Sequence, residues 1–183
     1  KGWFRTVSMT ADGRLLLAAN AIDAKVTIWS VPDRKILFTV PDNALDGQIS
    51  IDGKTFTAFT DKGIAVWDTT EYKERARFAA AGSLAVAYSP DGSLIASTNK
   101  NNVDIHRVGD GALVTSIAGH EDDVVALAFD RTGTRLASTS MDRTLRLWDT
   151  AKWTESDKMS VAEGGLSAVA FSPTGTAVVA AGI

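Results

Sequence analysis

The sequence predicts an all-β chain of four-stranded antiparallel blades, a β-propeller whose ring this chain leaves incomplete. Three observations predict it. Turn glycines recur about every forty residues, a tryptophan marker keeps the same beat, and no segment reads as a convincing amphipathic helix. The 183 residues are 45% hydrophobic with a formal charge of −3, ordinary composition for a globular domain.

The repeated unit is an apolar-alternating run, a glycine turn and a second apolar run. Its turn glycines are Gly13, Gly53, Gly92, Gly133 and Gly175, spaced 40, 39, 41 and 42 residues apart. Asp-Gly and Pro-Asp-Gly are turn chemistry, because glycine accepts positive φ at no steric cost. Val26–Trp29, Ile64–Trp67 and Leu145–Trp148 each end a strand-type run in tryptophan. Val103–His106 takes the same place in the third repeat with histidine instead. The charged stretch 70–80 fits a polar connection leading into an outer strand better than a helix. Approximate repeats are therefore 1–43, 44–82, 83–120, 121–165 and 166–183. One such unit cannot bury both its faces alone, so neighbouring blades supply the cover.

Gly119-His120 followed by Leu136 to Asp149, with Ser138, Asp142, Trp148 and Asp149 in place, resembles a nearly complete repeat of the WD-repeat propeller family. Weaker copies cover the rest of the chain. The resemblance implies a structural hydrogen-bond tetrad of His120, Ser138, Asp142 and Trp148. A buried carboxylate needs donors, and an imidazole, a hydroxyl and an indole N–H can supply a connected network. Counting back from the other tryptophans gives partial tetrads, with Asp23 and Trp29 in repeat one and Thr57, Asp61 and Trp67 in repeat two. Repeat three shows Ala96, Lys100 and His106 at those counts. The family closes rings of more blades than four and a half, so remaining blades are expected from the same chain or another subunit.

Reactive chemistry is sparse. There are no cysteines and two histidines, at no metal-ligand spacing. No nucleophile elbow or phosphate loop appears. These readings leave no catalytic, cofactor or metal residue to name. No basic block suits nucleic acid, and no apolar run reaches the roughly 18 residues that span a bilayer. The acidic run Glu121, Asp122 and Asp123 is expected to share a face with Arg143, a contact patch for a partner. Trp153 is expected on an exposed connection, where it either packs against a neighbouring blade or is a candidate anchor for a partner.

The function expected is a non-catalytic interaction scaffold with a protein or peptide partner. The alternative is a segment of a propeller enzyme, since repeat one also resembles lactonase-type and surface-layer propellers whose active residues would lie elsewhere. A module serving a fused domain is a third reading. With no Asn-X-Ser/Thr acceptor in the chain, the default expectation for location is the cytoplasm. If the tetrad stiffens its blade, amides of repeat four exchange more slowly than those of repeat three in native-state hydrogen exchange. Best protection in repeat three would contradict this.

Overall fold

A computed structural model describes residues 4–20, 22–79 and 85–182. Trp3 lies outside them. Blade 1 is β1 (Phe4–Met9), β2 (Leu15–Asn20), β3 (Lys25–Ser30) and β4 (Lys35–Thr39). Blade 2 is β5 (Ala44–Ile49), β6 (Thr55–Thr60), β7 (Gly63–Asp68) and β8 (Glu74–Phe78). Blade 3 is β9 (Val86–Tyr88), β10 (Leu94–Asn99), β11 (Asn102–Arg107) and β12 (Leu113–Ile117). Blade 4 is β13 (Val124–Phe129), β14 (Arg135–Ser140), β15 (Thr144–Asp149) and β16 (Thr154–Ser160). Blade 5 is the pair β17 (Leu166–Phe171) and β18 (Val178–Gly182). Every sheet is an antiparallel meander in sequence order, the all-β blade architecture that the repeat predicts.

Two compact units result, Lys1–Ala80 with Val108–Gly111, and Ala81–Arg107 with Ala112–Ile183. In the first, Leu17, Ala19, Val26 and Ile28 of blade 1 bury against Ile49, Phe56 and Trp67 of blade 2. In the second, Ala87, Ala96, Val103 and Ile105 of blade 3 bury against Leu127, Leu136 and Trp148 of blade 4. Ala137, Leu145 and Leu147 of blade 4 then pack on Leu166, Val169, Phe171 and Val178 of blade 5.

Register is the shared constraint. The residue opposite the third-strand tryptophan is Leu16 in blade 1, Phe56 in blade 2 and Leu136 in blade 4, and Ile95 faces His106 in blade 3. The third- to fourth-strand pairing shifts at that same residue in all four blades. Five residues further on, Arg34, Tyr72, Gly111 and Trp153 all take positive φ, between 54° and 71°. Such a conformation is uncommon outside glycine, so an equivalent turn is imposed four times.

The glycine turns are stitched by a side chain rather than left as bare hairpins. Thr10, Ser50 and Ser89 place a hydroxyl within bonding distance of the aspartate two residues on, and that hydroxyl also accepts the N–H of the residue five on. Blade 4 exchanges the two roles. Asp130 carries the carboxylate and Thr132 the hydroxyl, at 3.0 Å. Hydrogen bonds to Thr10, Ser89 and the facing N–H groups hold Asp12 and Asp91 below the ordinary carboxylate range. Ser50 is fully buried, so Ser50→Ala strands the Thr55 N–H and is expected to cost about 1–2 kcal/mol. Urea denaturation checks this, and an unchanged midpoint would remove the stitch from the account.

Candidate functional site

Blade 4 carries the one site where the described side chains form a continuous buried polar relay. β14 brings Ser138 to the face shared with Trp148 on β15, because Ser138 lies two residues from Leu136, the partner of Trp148. The connection before β13 brings His120 over both. Trp148 Nε1 donates to Ser138 Oγ at 2.8 Å, and Ser138 Oγ lies 2.7 Å from His120 Nε2. His120 Nδ1 lies 2.9 Å from Asp142 Oδ2. Asp142 also accepts the Glu121 N–H at 3.0 Å, the Thr144 N–H at 2.9 Å and the Thr144 hydroxyl at 2.6 Å.

The acceptor-only carboxylate assigns the tautomer. Nδ1 carries the proton toward Asp142, so Nε2 accepts from Ser138, whose oxygen is free to accept from the indole. Every donor then meets an acceptor. Burial pulls His120 below the usual imidazole value against the opposing effect of Asp142, which keeps the ring neutral. Burial alone would raise Asp142, but the bonds from Thr144, the Glu121 N–H and His120 outweigh it and hold the carboxyl well below its usual range. Gly119 is needed beside His120 because a Cβ there would lie 2.9 Å from the Trp148 ring and 3.0 Å from Arg146.

The order Ser–His–Asp is that of a hydrolytic triad, yet the chemistry is blocked. Ser138 is fully buried, and its oxygen already accepts an indole N–H. No substrate carbonyl can approach it while the blade is packed. Among the described residues no group of three or more histidines and carboxylates is placed to hold a metal, and no helix is long and apolar enough to cross a membrane.

The partial tetrads take different places. Trp29 Nε1 donates to Thr27 Oγ1 on its own strand at 2.9 Å, while Asp23 accepts from Asn20 at 2.9 Å in an exposed turn. In blade 2, Thr57 pairs with Val66 rather than standing two residues from Phe56, so it lies on the face opposite Trp67. Its hydroxyl donates to the Gln48 carbonyl. Asp61 is exposed, with its N–H on the Asn43 carbonyl. Trp67 Nε1 is buried without a partner. The cause is the turn between second and third strands, which differs in length from blade to blade. Counting across it slips the register, and a slip of one residue changes the face. The ladder puts Ala18, Ala58 and Ser97 at the Ser138 position. Repeat three therefore does carry the serine, one residue beyond Ala96. Blade 2 ties the corresponding loop and turn with ions instead, since Asp42 takes Lys62 at 2.6 Å and Arg77 at 2.8 Å, and Arg77 also reaches Thr60.

Of the two readings for Trp153, the structure has the packing one, a half-buried residue and not an exposed anchor. Its backbone takes positive φ and its ring packs on the core that Leu94 and Phe129 also cover. Tyr72 does the same in blade 2, stacked on Phe38 at 4.9 Å. The signal was present: both stand five residues after a strand-ending tryptophan. Glu121, Asp122, Asp123 and Arg143 are exposed, and none of them forms an ion pair among the described residues. Their two connections are tied together by Ser140 Oγ donating to the Asp122 carbonyl at 2.9 Å, Met141 N–H to Asp123 at 3.0 Å, and Glu121 N–H to Asp142.

A family model described as "WD domain, G-beta repeat" matches residues 111–149. Among curated proteins, an uncharacterized WD repeat-containing protein of Synechocystis is 37% identical over 92 residues, 50% of this chain and 26% of its own length. A periodic tryptophan protein 2 homolog of Dictyostelium discoideum is 28% identical over 155 residues, 79% of this chain and 17% of its own. Protein HIR1 of Cryptococcus neoformans is 27% identical over 180 residues, 93% of this chain and 18% of its own. The chain spans about a quarter or less of the length of these relatives.

Two outcomes follow from the relay. Ser138→Ala leaves the Trp148 N–H and His120 Nε2 without their partner and is expected to cost about 1–3 kcal/mol in urea denaturation; a neutral result would contradict it. In acid, the unfolded chain binds a proton at histidine near pH 6.5 while native His120 does not, so stability falls from there downward. Asp142, ionised in the fold, adds stability above about pH 4 that is lost below it. The melting temperature is expected to drop in both ranges, and His120→Gln should shrink the drop between about pH 6.5 and 5. An undiminished slope in that variant would rule out the assignment.

Proposed function

We propose, from the premise that the chain belongs to the WD-repeat family, that it is a non-catalytic scaffold that binds a protein or peptide partner. The observation that carries this is the division of labour in blade 4. The groups with catalytic chemistry are buried and fully used in holding the blade. The groups left exposed, Glu121, Asp122, Asp123 and Arg143, sit on two connections bound to one another through Asp142, Ser140 and Met141. Charges on connections held this firmly lose little freedom on binding, and preorganisation of that kind favours affinity. Electrostatic complementarity at such a rim sets partner choice and association rate more than affinity.

Peptides selected from a displayed random library against the folded chain test this reading. A charge reversal at Asp122 with Asp123, or Arg143→Glu, is expected to weaken the selected peptides while the melting temperature stays within about 2 °C, the ordinary range for surface substitutions. Selected peptides indifferent to both changes would remove this rim from the proposal. Hydrolytic turnover that disappears in Ser138→Ala would overturn the scaffold itself.

A further inference from the structure

The first turn of each blade lies one strand's length from the rim, and there blade 3 differs from its neighbours. The turn carries a carboxylate in four blades, Asp12, Asp52, Asp91 and Asp130. Three of them meet a cation. Lys54 Nζ stands 3.2 Å from Asp52 and Arg135 Nε 3.3 Å from Asp130. Asp12, lowered first by the Thr10 bond, is lowered also by the charge of Arg14. Asp91 meets no cation among the described residues, and the bonds that keep it ionised come from Ser89 and Ser93. The difference is legible in the chain. Ser93 stands two residues after its aspartate, where blades 1 and 2 have Arg14 and Lys54.

Asp91 also borders a cleft of about 170 Å³ between the first turns of blades 3 and 4. Pro90, Leu94 and Phe129 give the cleft apolar walls, and Ser93 and Thr132 add hydroxyls beside the carboxylate. Arg131, next to Thr132, does not line it. Small-molecule pockets run to roughly 300–1,000 Å³, so this cleft suits a single side chain. Leu94 and Phe129 are half-buried on the core below, which fixes the wall. The carboxylate is fixed as well. It accepts the Ser89 hydroxyl at 2.5 Å, the Ser93 N–H at 3.1 Å and the Ser93 hydroxyl at 2.8 Å. A carboxylate offers about four lone-pair sites, so one is left for a charged donor. Long basic side chains lay a hydrocarbon stem on apolar surface while the head finds its partner. A guanidinium also stacks on aromatic faces and has further N–H donors for neighbouring hydroxyls.

We propose that this cleft receives an arginine side chain of a partner peptide, its stem on Leu94 and Phe129 and its guanidinium on Asp91. The partner supplies to blade 3 the cation that blades 1, 2 and 4 carry themselves. This reading shares with the scaffold proposal only the class of partner. Its residues lie away from the rim, so either can fail alone.

The test uses displayed peptides with a fixed central arginine and random flanks. They are selected against the folded chain carrying Asp122→Lys and Asp123→Lys, so that binders of the rim drop out. Nitrogen-15 spectra with a selected peptide are expected to move the amides of Gly92, Ser93 and Thr132. Glutamine in place of the peptide's arginine, or Asp91→Asn in the chain, should weaken binding about 5-fold, the upper range for an ion pair open to water. Asp91→Asn also alters the stitch, so a second variant keeps the carboxylate. Ser93→Lys gives blade 3 the cation that Lys54 gives blade 2. It should lose the same affinity while the melting temperature stays within about 2 °C. No selected peptide, amide shifts elsewhere, or an affinity that Ser93→Lys leaves unmoved would overturn the proposal. A lysine peptide that binds as tightly would overturn the choice of arginine.

Discussion

The apolar row through the third-strand tryptophan is the constraint on which the rest depends. Side chains of a strand alternate between faces, so placing Trp67 and Trp148 opposite Phe56 and Leu136 decides which residues of each blade meet the neighbour. The bulge at that row and the positive φ five residues later follow in every four-stranded blade. Tyr72 and Trp153, which take it, pack on the cores. A single registration thus sets the burial of the row, the shape of the next turn and the direction of the outer strand.

In blade 4 the same registration has a polar consequence. It carries Ser138 to the tryptophan face, where the indole, the imidazole and the Asp142 carboxylate complete one another. A network of this kind is favourable only if every member is satisfied, because a low-dielectric setting penalises any orphan. Blade 2 illustrates the cost: with Ala58 at that position, the Trp67 N–H stays unpaired, and an ion cluster around Arg77 ties the rim instead. The functional reading rests on this contrast. Chemistry is withdrawn into the blade as structure, and exposed charge is left on loops that the structure holds still.

Much of the architecture was legible in the chain. The period of Gly13, Gly53, Gly92, Gly133 and Gly175 locates the first turn of each blade, since glycine turns and alternating strands are local features. His120, Ser138, Asp142 and Trp148 were legible because one repeat retains the whole pattern. Thr57 and Ala96 were misplaced because counting crossed a turn of variable length, whereas the alternation measured from Phe56 or Ile95 would have given Ala58 and Ser97. For Trp153 the sequence left packing and an exposed anchor both open, because a tryptophan on a connection is assigned to one or the other only by the backbone at that position. The exchange of Asp130 and Thr132 is not legible in the chain, since the pair is equivalent in hydrogen bonding and different in letters.

The most direct measurement is the nitrogen-15 spectrum of the His120 ring as pH is lowered. The account predicts a neutral imidazole with its proton on Nδ1, which titrates at lower pH than an ordinary histidine. A ring that titrates near its ordinary value, or that carries its proton on Nε2, would contradict the buried relay, and with it the claim that blade 4 uses these groups as structure.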